Sequence, residues 1–134
     1  MQKVVDFLTA NPVFQFATVE GDQPRVRPFG FFMVEEGRMY FTTGEGKKVA
    51  NQLHANPKFE FSTCNDKGEW LRVSATAVFD TRPELVEKAF KIMPMLKDIY
   101  SNADKGGPRI VMFYADKAEA VLADMRGKSE TIKF

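Results

Sequence analysis

Side chains that could hold a phosphate group lie close together between residues 25 and 57. Arg25 and Arg27 are two residues apart, so on a β-strand they would point to the same side. Guanidinium groups form paired hydrogen bonds with phosphate oxygens, whereas two neighbouring guanidiniums repel each other unless an anion or carboxylates lie between them. Pro28 removes a backbone donor and indicates an edge or a bulge of the sheet. The same spacing also fits two solvated strand charges.

A glycine-bounded loop with two lysines follows. Lys47 and Lys48 come after Gly44 and Gly46 and directly precede a stretch with helical periodicity. If a helix begins there, its first N–H groups and its dipole favour an anion, and the glycines allow close backbone approach. The alternative is a flexible hairpin tip with solubilising lysines.

Two hydroxyl side chains, Thr42 and Thr43, end the strand before this loop. Their directions alternate along the strand, so only one of them can face the same site as the lysines. Both also suit a strand simply because they are β-branched. Together, the arginines, hydroxyls and lysines predict a phosphate-binding site at the rim of a β-barrel.

The sequence contains little that could perform acid–base, nucleophilic or metal chemistry. The single histidine, His54, is expected at the exposed end of a short helix, so a metal site or a histidine-based catalytic pair lacks partners. The single cysteine, Cys64, is expected to be chemically inert. No carboxylate pair, nucleophile elbow or Walker loop is present. A phosphate cradle without such groups indicates that a cofactor supplies the chemistry.

Length, composition and charge narrow the class of protein. The 134 residues predict one domain over residues 1–134, with the composition of an ordinary soluble globular protein. The net charge of +1 disfavours nucleic acid as the main partner, because nucleic-acid binders normally carry a basic excess. No apolar run approaches the roughly 20 residues of a membrane span. A lone cysteine and an N-terminus without a cleavage pattern predict a cytoplasmic protein.

Hydrophobic periodicity predicts a mainly β protein. Strands are expected over residues 13–19, 25–34, 38–43, 59–63, 70–79, 110–114 and 118–125, with a short final strand at 130–134. Helices are expected over residues 2–10, 47–55 and 83–100, the last one kinked at Pro94. Trp70 fits a core position slightly better than a cover over a flat ligand. Because βαβ alternation is absent, we predict an antiparallel barrel of six or seven strands with two or three peripheral helices.

The order of these motifs resembles that of the pyridoxamine 5′-phosphate oxidase-like family of FMN-binding split barrels, and especially its short bacterial branch. The resemblance covers most of residues 3–80. The matching stretches are residues 11–14 with 17–19, 23–29, 40–43 with 47–48, 56–57 and 70–74. No single stretch is specific, whereas the ordered set is.

The resemblance implies an antiparallel split β-barrel that binds FMN. In that family the arginine-rich second strand meets the phosphate and the ring edge, the next strand ends at the ribityl–phosphate region, and the basic pair binds the phosphate. The strand that holds Trp70 usually directs a polar side chain toward the flavin. The cofactor-binding residues that the resemblance implies are Arg25, Val26, Arg27, Pro28, Phe29, Thr42, Thr43, Lys47, Lys48 and Trp70.

The resemblance further implies a homodimer with FMN at the interface, in which each site uses both subunits. The expected activity is that of a flavin oxidoreductase acting on a small molecule or on NAD(P)H. Residues 130–134 lack the basic and aromatic closing segment of true pyridoxamine-phosphate oxidases, so pyridoxamine phosphate is not the expected substrate. Two alternatives remain open, namely a non-catalytic flavin-binding sensor or carrier, and a haem- or deazaflavin-binding barrel.

Overall fold

One antiparallel sheet of eight strands dominates the computed structural model, which describes residues 1–134. The strands are β1 (Phe14–Glu20), β2 (Gln23–Phe29), β3 (Met33–Glu35), β4 (Arg38–Gly44), β5 (Lys58–Cys64), β6 (Glu69–Phe79), β7 (Ile110–Asp124) and β8 (Ser129–Lys133). Their order across the sheet is β2-β1-β5-β6-β7-β4-β3, and β8 pairs with β7. The predicted mainly β, antiparallel fold with peripheral helices, consistent with a split β-barrel, is confirmed.

The predicted long strand over residues 25–34 is two strands. β2 ends at Phe29 and pairs only with β1, whereas β3 pairs only with β4 at the other edge of the sheet. A single straight strand cannot reach both edges, so the chain leaves the sheet over residues 30–32 and crosses between them. The break therefore gives two strands where the sequence predicted one.

The two strands expected at residues 110–114 and 118–125 are instead one continuous strand, β7. The interruption in the apolar pattern corresponds to an irregularity in the pairing with β6, between Ser74 and Thr76. Lys117 has a positive φ of 52° near this point. The strand bends and continues because a bulge changes the register without ending the ladder.

Four helices surround the sheet, where two or three were expected. They are α1 (Gln2–Ala10), α2 (Lys48–Ala55), α3 (Pro83–Ile92) and α4 (Met95–Tyr100), followed by a 3-10 turn at Ala103–Lys105. Pro94 divides the expected 83–100 helix, because Met93 before it takes an extended conformation with φ −133° and ψ 88°. None of these helices combines the length and the apolar character needed to cross a membrane.

Phenylalanine side chains fill the space that the sheet encloses. Phe16 on β1 stacks on Phe59 at 4.7 Å between ring centroids and on Phe29 at 4.3 Å. Phe29 therefore points into the barrel from β2. Since alternate residues of a strand share a face, Arg27 and Arg25 point the same way and lie progressively closer to the rim.

A second apolar cluster lies on the outer face of β4 beneath α3. Tyr40 and Met112 belong to it together with Leu85 and Ala89 of the helix. Phe41, the neighbour of Tyr40, belongs instead to the barrel interior. β4 is thus buried on both faces. This burial fixes the strand that leads into residues 44–48, which carry Lys47 and Lys48 and are called the lysine loop below.

Candidate anion-binding site

The loop that precedes α2 is tightly packed where it leaves β4. A Cβ atom at Gly44 would lie 3.1 Å from Cε of Lys47 and 3.1 Å from Cβ of Pro108, so a methyl group there would be tightly packed. Gly46 has a φ of +84°, a conformation that glycine adopts readily. The backbone N–H of Glu45 donates to the carbonyl of Arg109 at 2.7 Å. The loop is therefore held by the chain that enters β7.

The first turn of α2 presents unused donors. Lys47 is the N-cap residue and provides no capping side chain, and the N–H groups of Lys48, Val49 and Ala50 have no backbone or side-chain acceptor. Lys47 and Lys48 are exposed and form no ion pair with a carboxylate. The Lys47 ammonium lies 5.5 Å from the centroid of the Tyr100 ring. Free N–H groups, a helix dipole and two unpaired ammonium groups fit a phosphate group.

Arg25 and Arg27 both lie at the rim, but they differ in their partners. Arg25 is exposed and donates to Oε1 of Glu20 from Nε at 3.1 Å and from Nη2 at 2.9 Å. Arg27 is half-buried and donates from Nη1 to Oγ1 of Thr18 at 2.7 Å and from Nη2 to Oε1 of Gln52 at 2.6 Å. Burial lowers the pKa of the Arg27 guanidinium, yet an arginine keeps its charge in proteins.

Buried polar side chains join these arginines to α2. Gln52 and Thr18 are only 5% and 2% exposed, and the Thr18 hydroxyl donates to Oε1 of Gln52. Nε2 of Gln52 donates to Oε2 of Glu20 at 3.3 Å. Hydrogen bonds from Arg25, and then from Gln52, lower the pKa of the Glu20 carboxyl, and the charge of Lys48 lowers it further. Since Gln52 lies one turn after Lys48, the network positions the helix start against the two arginines.

The site residues predicted from the sequence do not include Glu20, Thr18 or Gln52. A signal for two of them was present. Thr18 continues the inward-pointing series of β1 after Phe14 and Phe16, and Gln52 interrupts the apolar side of α2. A polar side chain in an apolar series must find a partner when it is buried.

The other predicted residues of β2 and β4 take different directions. Val26 and Pro28 lie on the outer face of β2 and are exposed, whereas Phe29 is half-buried against the barrel core. Thr43 is buried, and Thr42 is half-buried on the opposite face. Consistent with the alternation expected from the sequence, the two hydroxyls do not share one face.

Trp70 lies away from this group within the same chain. It pairs with Cys64 and with Ala123 near the end of β7, whereas the lysine loop begins beside Ile110 at the start of β7. Ala123 is 13 positions after Ile110 (123 − 110), roughly 40 Å along the strand at its usual rise. Trp70 is half-buried and stands outside both apolar clusters, so the expectation of a core position is wrong.

The remaining candidates for chemistry are at the surface. His54 is exposed as expected, with its ring stacked on Phe79 at 4.2 Å and its Nε2 atom 3.2 Å from Oε1 of Glu45. Cys64 is exposed and free. No group of three or more histidine, cysteine or acidic side chains is arranged to hold a metal ion.

Solved structures with the same fold span nearly the whole chain. A NimC/NimA family protein from Clostridium acetobutylicum is 39% identical, with a TM-score of 0.89, and the match covers 100% of this chain and 92% of that one. A protein from the same organism, related to general stress protein 26 of B. subtilis, is 13% identical, with a TM-score of 0.73 and coverage of 99% and 93%. A pyridoxamine 5′-phosphate oxidase-related, FMN-binding protein from Nostoc punctiforme is 14% identical, with a TM-score of 0.63 and coverage of 99% and 95%.

Family membership is shown by the first of these structures and by the match of this chain to a model of the family. A search among curated proteins finds no match. A model of the family described as pyridoxamine 5′-phosphate oxidase matches residues 1–126, a span that includes the arginines of β2 and the lysine loop. The two structures below 25% identity share the fold alone. The family match and the 39% identity over the full length agree with the order of the motifs, and the chain therefore belongs to the pyridoxamine 5′-phosphate oxidase-like family.

Proposed function

We propose that this protein is an FMN-binding flavin oxidoreductase that holds the cofactor phosphate at the start of α2. The observation that carries the proposal is the set of three free N–H groups beside two unpaired lysines, Lys47 and Lys48. An FMN-binding protein of the same fold supports the choice of ligand. Bound FMN would supply hydride or electron transfer, which the side chains of this chain cannot perform alone.

The residues at the rim have separable roles in this proposal. Lys47, Lys48 and the first N–H groups of α2 bind the phosphate. Arg25 is exposed and can add its guanidinium, whereas Arg27 is already occupied by Thr18 and Gln52 and acts chiefly through its charge. The backbone of Val26, Pro28 and Phe29 at the sheet edge is proposed to line the ribityl chain and the ring edge. One of the two hydroxyls, Thr42 or Thr43, joins it, because their side chains lie on opposite faces of β4.

A homodimer with FMN at the subunit interface is part of the same proposal. β2 is an edge strand, and Val26 on its outer face is 66% exposed. Val13 is also exposed, at 59%, and lies four residues before Ala17, the partner of Val26 on β1. Exposed apolar side chains beside a ligand site are typical of a protein interface. Trp70 lies at the opposite end of β7 from the lysine loop of its own chain. In the proposed dimer, Trp70 would therefore contact the FMN that is bound at the lysine loop of the second subunit.

The cofactor proposal is tested on the purified protein by its visible spectrum and by fluorescence titration with FMN. Lys48→Ala should weaken FMN binding about tenfold, because it removes one charged phosphate contact. Lys91→Ala, an exposed lysine in the last turn of α3, is the matched control and should bind as the wild type does. A colourless protein that binds no added FMN, or equal affinity in both variants, contradicts the proposal.

Catalysis is tested separately from binding. Anaerobic mixing of the FMN complex with NADH or NADPH should bleach the visible flavin band rapidly if the protein is an oxidoreductase. A flavin sensor or carrier would bind FMN but show no fast bleaching. The same spectrum identifies a haem protein, although His54 is engaged by Glu45 and Phe79 and is a poor axial ligand.

A further inference from the structure

The lysine loop contains a carboxylate as well as its two lysines. Glu45 lies two residues before Lys47 and three before Lys48, and its side chain is 49% exposed. The two ammonium groups are carried on long side chains and have no carboxylate partner. An acid this close along the chain is a competitor for any anion that binds the lysines. What the loop offers to an anion therefore depends on where the Glu45 carboxylate is held.

His54 holds that carboxylate. Nε2 of His54 lies 3.2 Å from Oε1 of Glu45, and the Glu45 side chain has no other ion-pair or hydrogen-bond partner. Because an ionised carboxylate can only accept a hydrogen bond, Nε2 of the imidazole is the donor. Neutral and charged histidine can both carry a hydrogen on this atom, so the contact does not require a charged ring.

The imidazole is itself fixed by the barrel. Its ring stacks on that of Phe79, with 4.2 Å between the centroids and 20° between the planes. Phe79 ends β6, is half-buried and packs on Phe113 of the barrel interior at 5.8 Å between centroids. Stacking restricts the rotation of the ring, so Nε2 is presented to Glu45 from a defined position. A surface pair with one ordered member loses less side-chain entropy than a pair of two mobile side chains.

The contact with His54 directs Glu45 along the side of α2. His54 is six positions after Lys48 (54 − 48), about 9 Å along the helix axis. Asn51 lies three positions before His54 on the same side of the helix, and its Nδ2 donates to the carbonyl of Gly46 at 3.5 Å. The loop thus lies along one side of α2, with its acid drawn toward His54 and its lysines at the start of the helix.

We propose that His54 is a positioning residue that withholds Glu45 from Lys47 and Lys48 and so keeps the lysine loop open for a phosphate group. Without the imidazole, the carboxylate would be free to pair with a neighbouring ammonium group, and a phosphate would have to displace it. A carboxylate near a bound phosphate would also repel it directly. This inference rests on the proposed function, because it takes the lysine loop as the binding site of the FMN phosphate.

A double-mutant cycle separates this role from a merely structural one. His54→Ala should weaken FMN binding about three- to tenfold in fluorescence titration, because the freed carboxylate competes for the lysines. Glu45→Gln should bind FMN about two- to fivefold more tightly than the wild type, since it removes the negative charge. Adding Glu45→Gln to His54→Ala removes the competitor and should restore the affinity at least to the wild-type level. If His54 only braced the loop, the double variant would stay as weak as His54→Ala.

Two further variants serve as controls. His54→Gln keeps an N–H donor at this position and should lose less affinity than His54→Ala. Glu87→Gln removes a carboxylate from the exposed face of α3 and should not change FMN binding. The free energy of unfolding, measured in urea, should differ little among all these variants, because the three substituted side chains are exposed.

Inorganic phosphate tests the same role without the flavin. It should raise the thermal unfolding midpoint of the wild type and of Glu45→Gln, and raise that of His54→Ala much less. If FMN does not bind while the phosphate results hold, the flavin proposal is wrong and the role of His54 stands. Three results would overturn this role, namely wild-type FMN affinity in His54→Ala, no recovery in the double variant, and an equal response of all variants to phosphate.

Discussion

Among single residues, Arg27 shows best how the candidate site holds a positive charge in place. Its guanidinium is satisfied by the Thr18 hydroxyl and by carbonyl oxygens of Gln52 and Phe16, all of which are neutral. Glu20 is the only acid in the network, and Arg27 reaches it only through Gln52. Arg27 is therefore held rigidly while its positive charge remains uncancelled by any direct partner. Under the proposed function, that combination would favour an anion at the rim of the barrel.

Gln52 is expected to matter for stability. Gln52→Leu would remove the acceptor that Arg27 and Thr18 share, leaving buried donors with fewer partners. We expect the free energy of unfolding to fall by about 1–3 kcal/mol, measured by urea denaturation. Asn51→Ala on the exposed side of the same helix should cost much less. Equal losses in the two variants would contradict the role assigned to Gln52.

Glu20 is expected to make the stability of the fold depend on pH. Its pKa is lowered in the folded protein, first by Arg25 and then by Gln52. A carboxyl with a lowered folded pKa stabilises the fold above its ordinary value of 4.5, and this contribution is lost as the pH falls through the lowered value. Wild type should therefore exceed Glu20→Gln in stability at neutral pH, and the difference should vanish in acid. A constant difference across the titration would show that the ion pair contributes nothing.

At the scale of elements, α2 is positioned from two sides. The Gln52 network attaches it to β1 and β2, and the packing of Gly44 against Lys47 and Pro108 attaches its loop to the start of β7. The helix is only eight residues long and has no side-chain cap. A helix this short gains most of its stability from packing, so these attachments determine where its free N–H groups point.

Gly44 is expected to control the geometry of the lysine loop. Gly44→Ala would place a methyl group 3.1 Å from side-chain atoms of Lys47 and Pro108, which would have to move by a few tenths of an ångström. We expect a loss of about 1–3 kcal/mol in stability together with weaker FMN binding, measured by thermal unfolding and fluorescence titration. Gly30→Ala is a suitable control, since nothing lies within 4 Å of its added methyl group. A Gly44→Ala variant with unchanged stability and unchanged FMN affinity would contradict this role of Gly44.

At the scale of the whole molecule, the sheet leaves one strand edge beside the candidate site. β2 pairs on one side only, and the other edge strand, β3, lies at the far end of the sheet order. The crossing at residues 30–32 brings the chain from one edge to the other. Val13 and Val26 are both exposed, on the outer face of the β1–β2 pair. A second subunit placed there would cover the apolar side chains and complete the cofactor site.

Val26 provides the test of that arrangement. Val26→Glu should shift the protein from dimer to monomer, because it places a charge within an apolar interface, and FMN affinity should fall with it. Light scattering coupled to size-exclusion chromatography measures the first effect and fluorescence titration the second. Met125→Glu, at an 83% exposed position in the β7–β8 turn, should leave both unchanged. A Val26→Glu protein that remains dimeric would exclude this interface.

Local patterns in the sequence were sufficient for most of the secondary structure. The strand alternation of β1, the lysine loop before α2 and the exposed end position of His54 all depend on neighbours within a few residues. The division of residues 25–34 and the continuity of β7 did not follow from those patterns. Both depend on which strand lies alongside, and strand pairing connects residues that are far apart in the chain.

The fold class, the family and the loop with Lys47 and Lys48 could all be predicted from the amino-acid sequence. Those features are written in short-range periodicity and in the order of motifs along the chain. The hydrogen bond from Arg27 to Gln52 and the groove beside Trp70 became visible in the folded chain. The physical reason is that the partner of a buried side chain is set by sheet order and register, which local spacing does not contain.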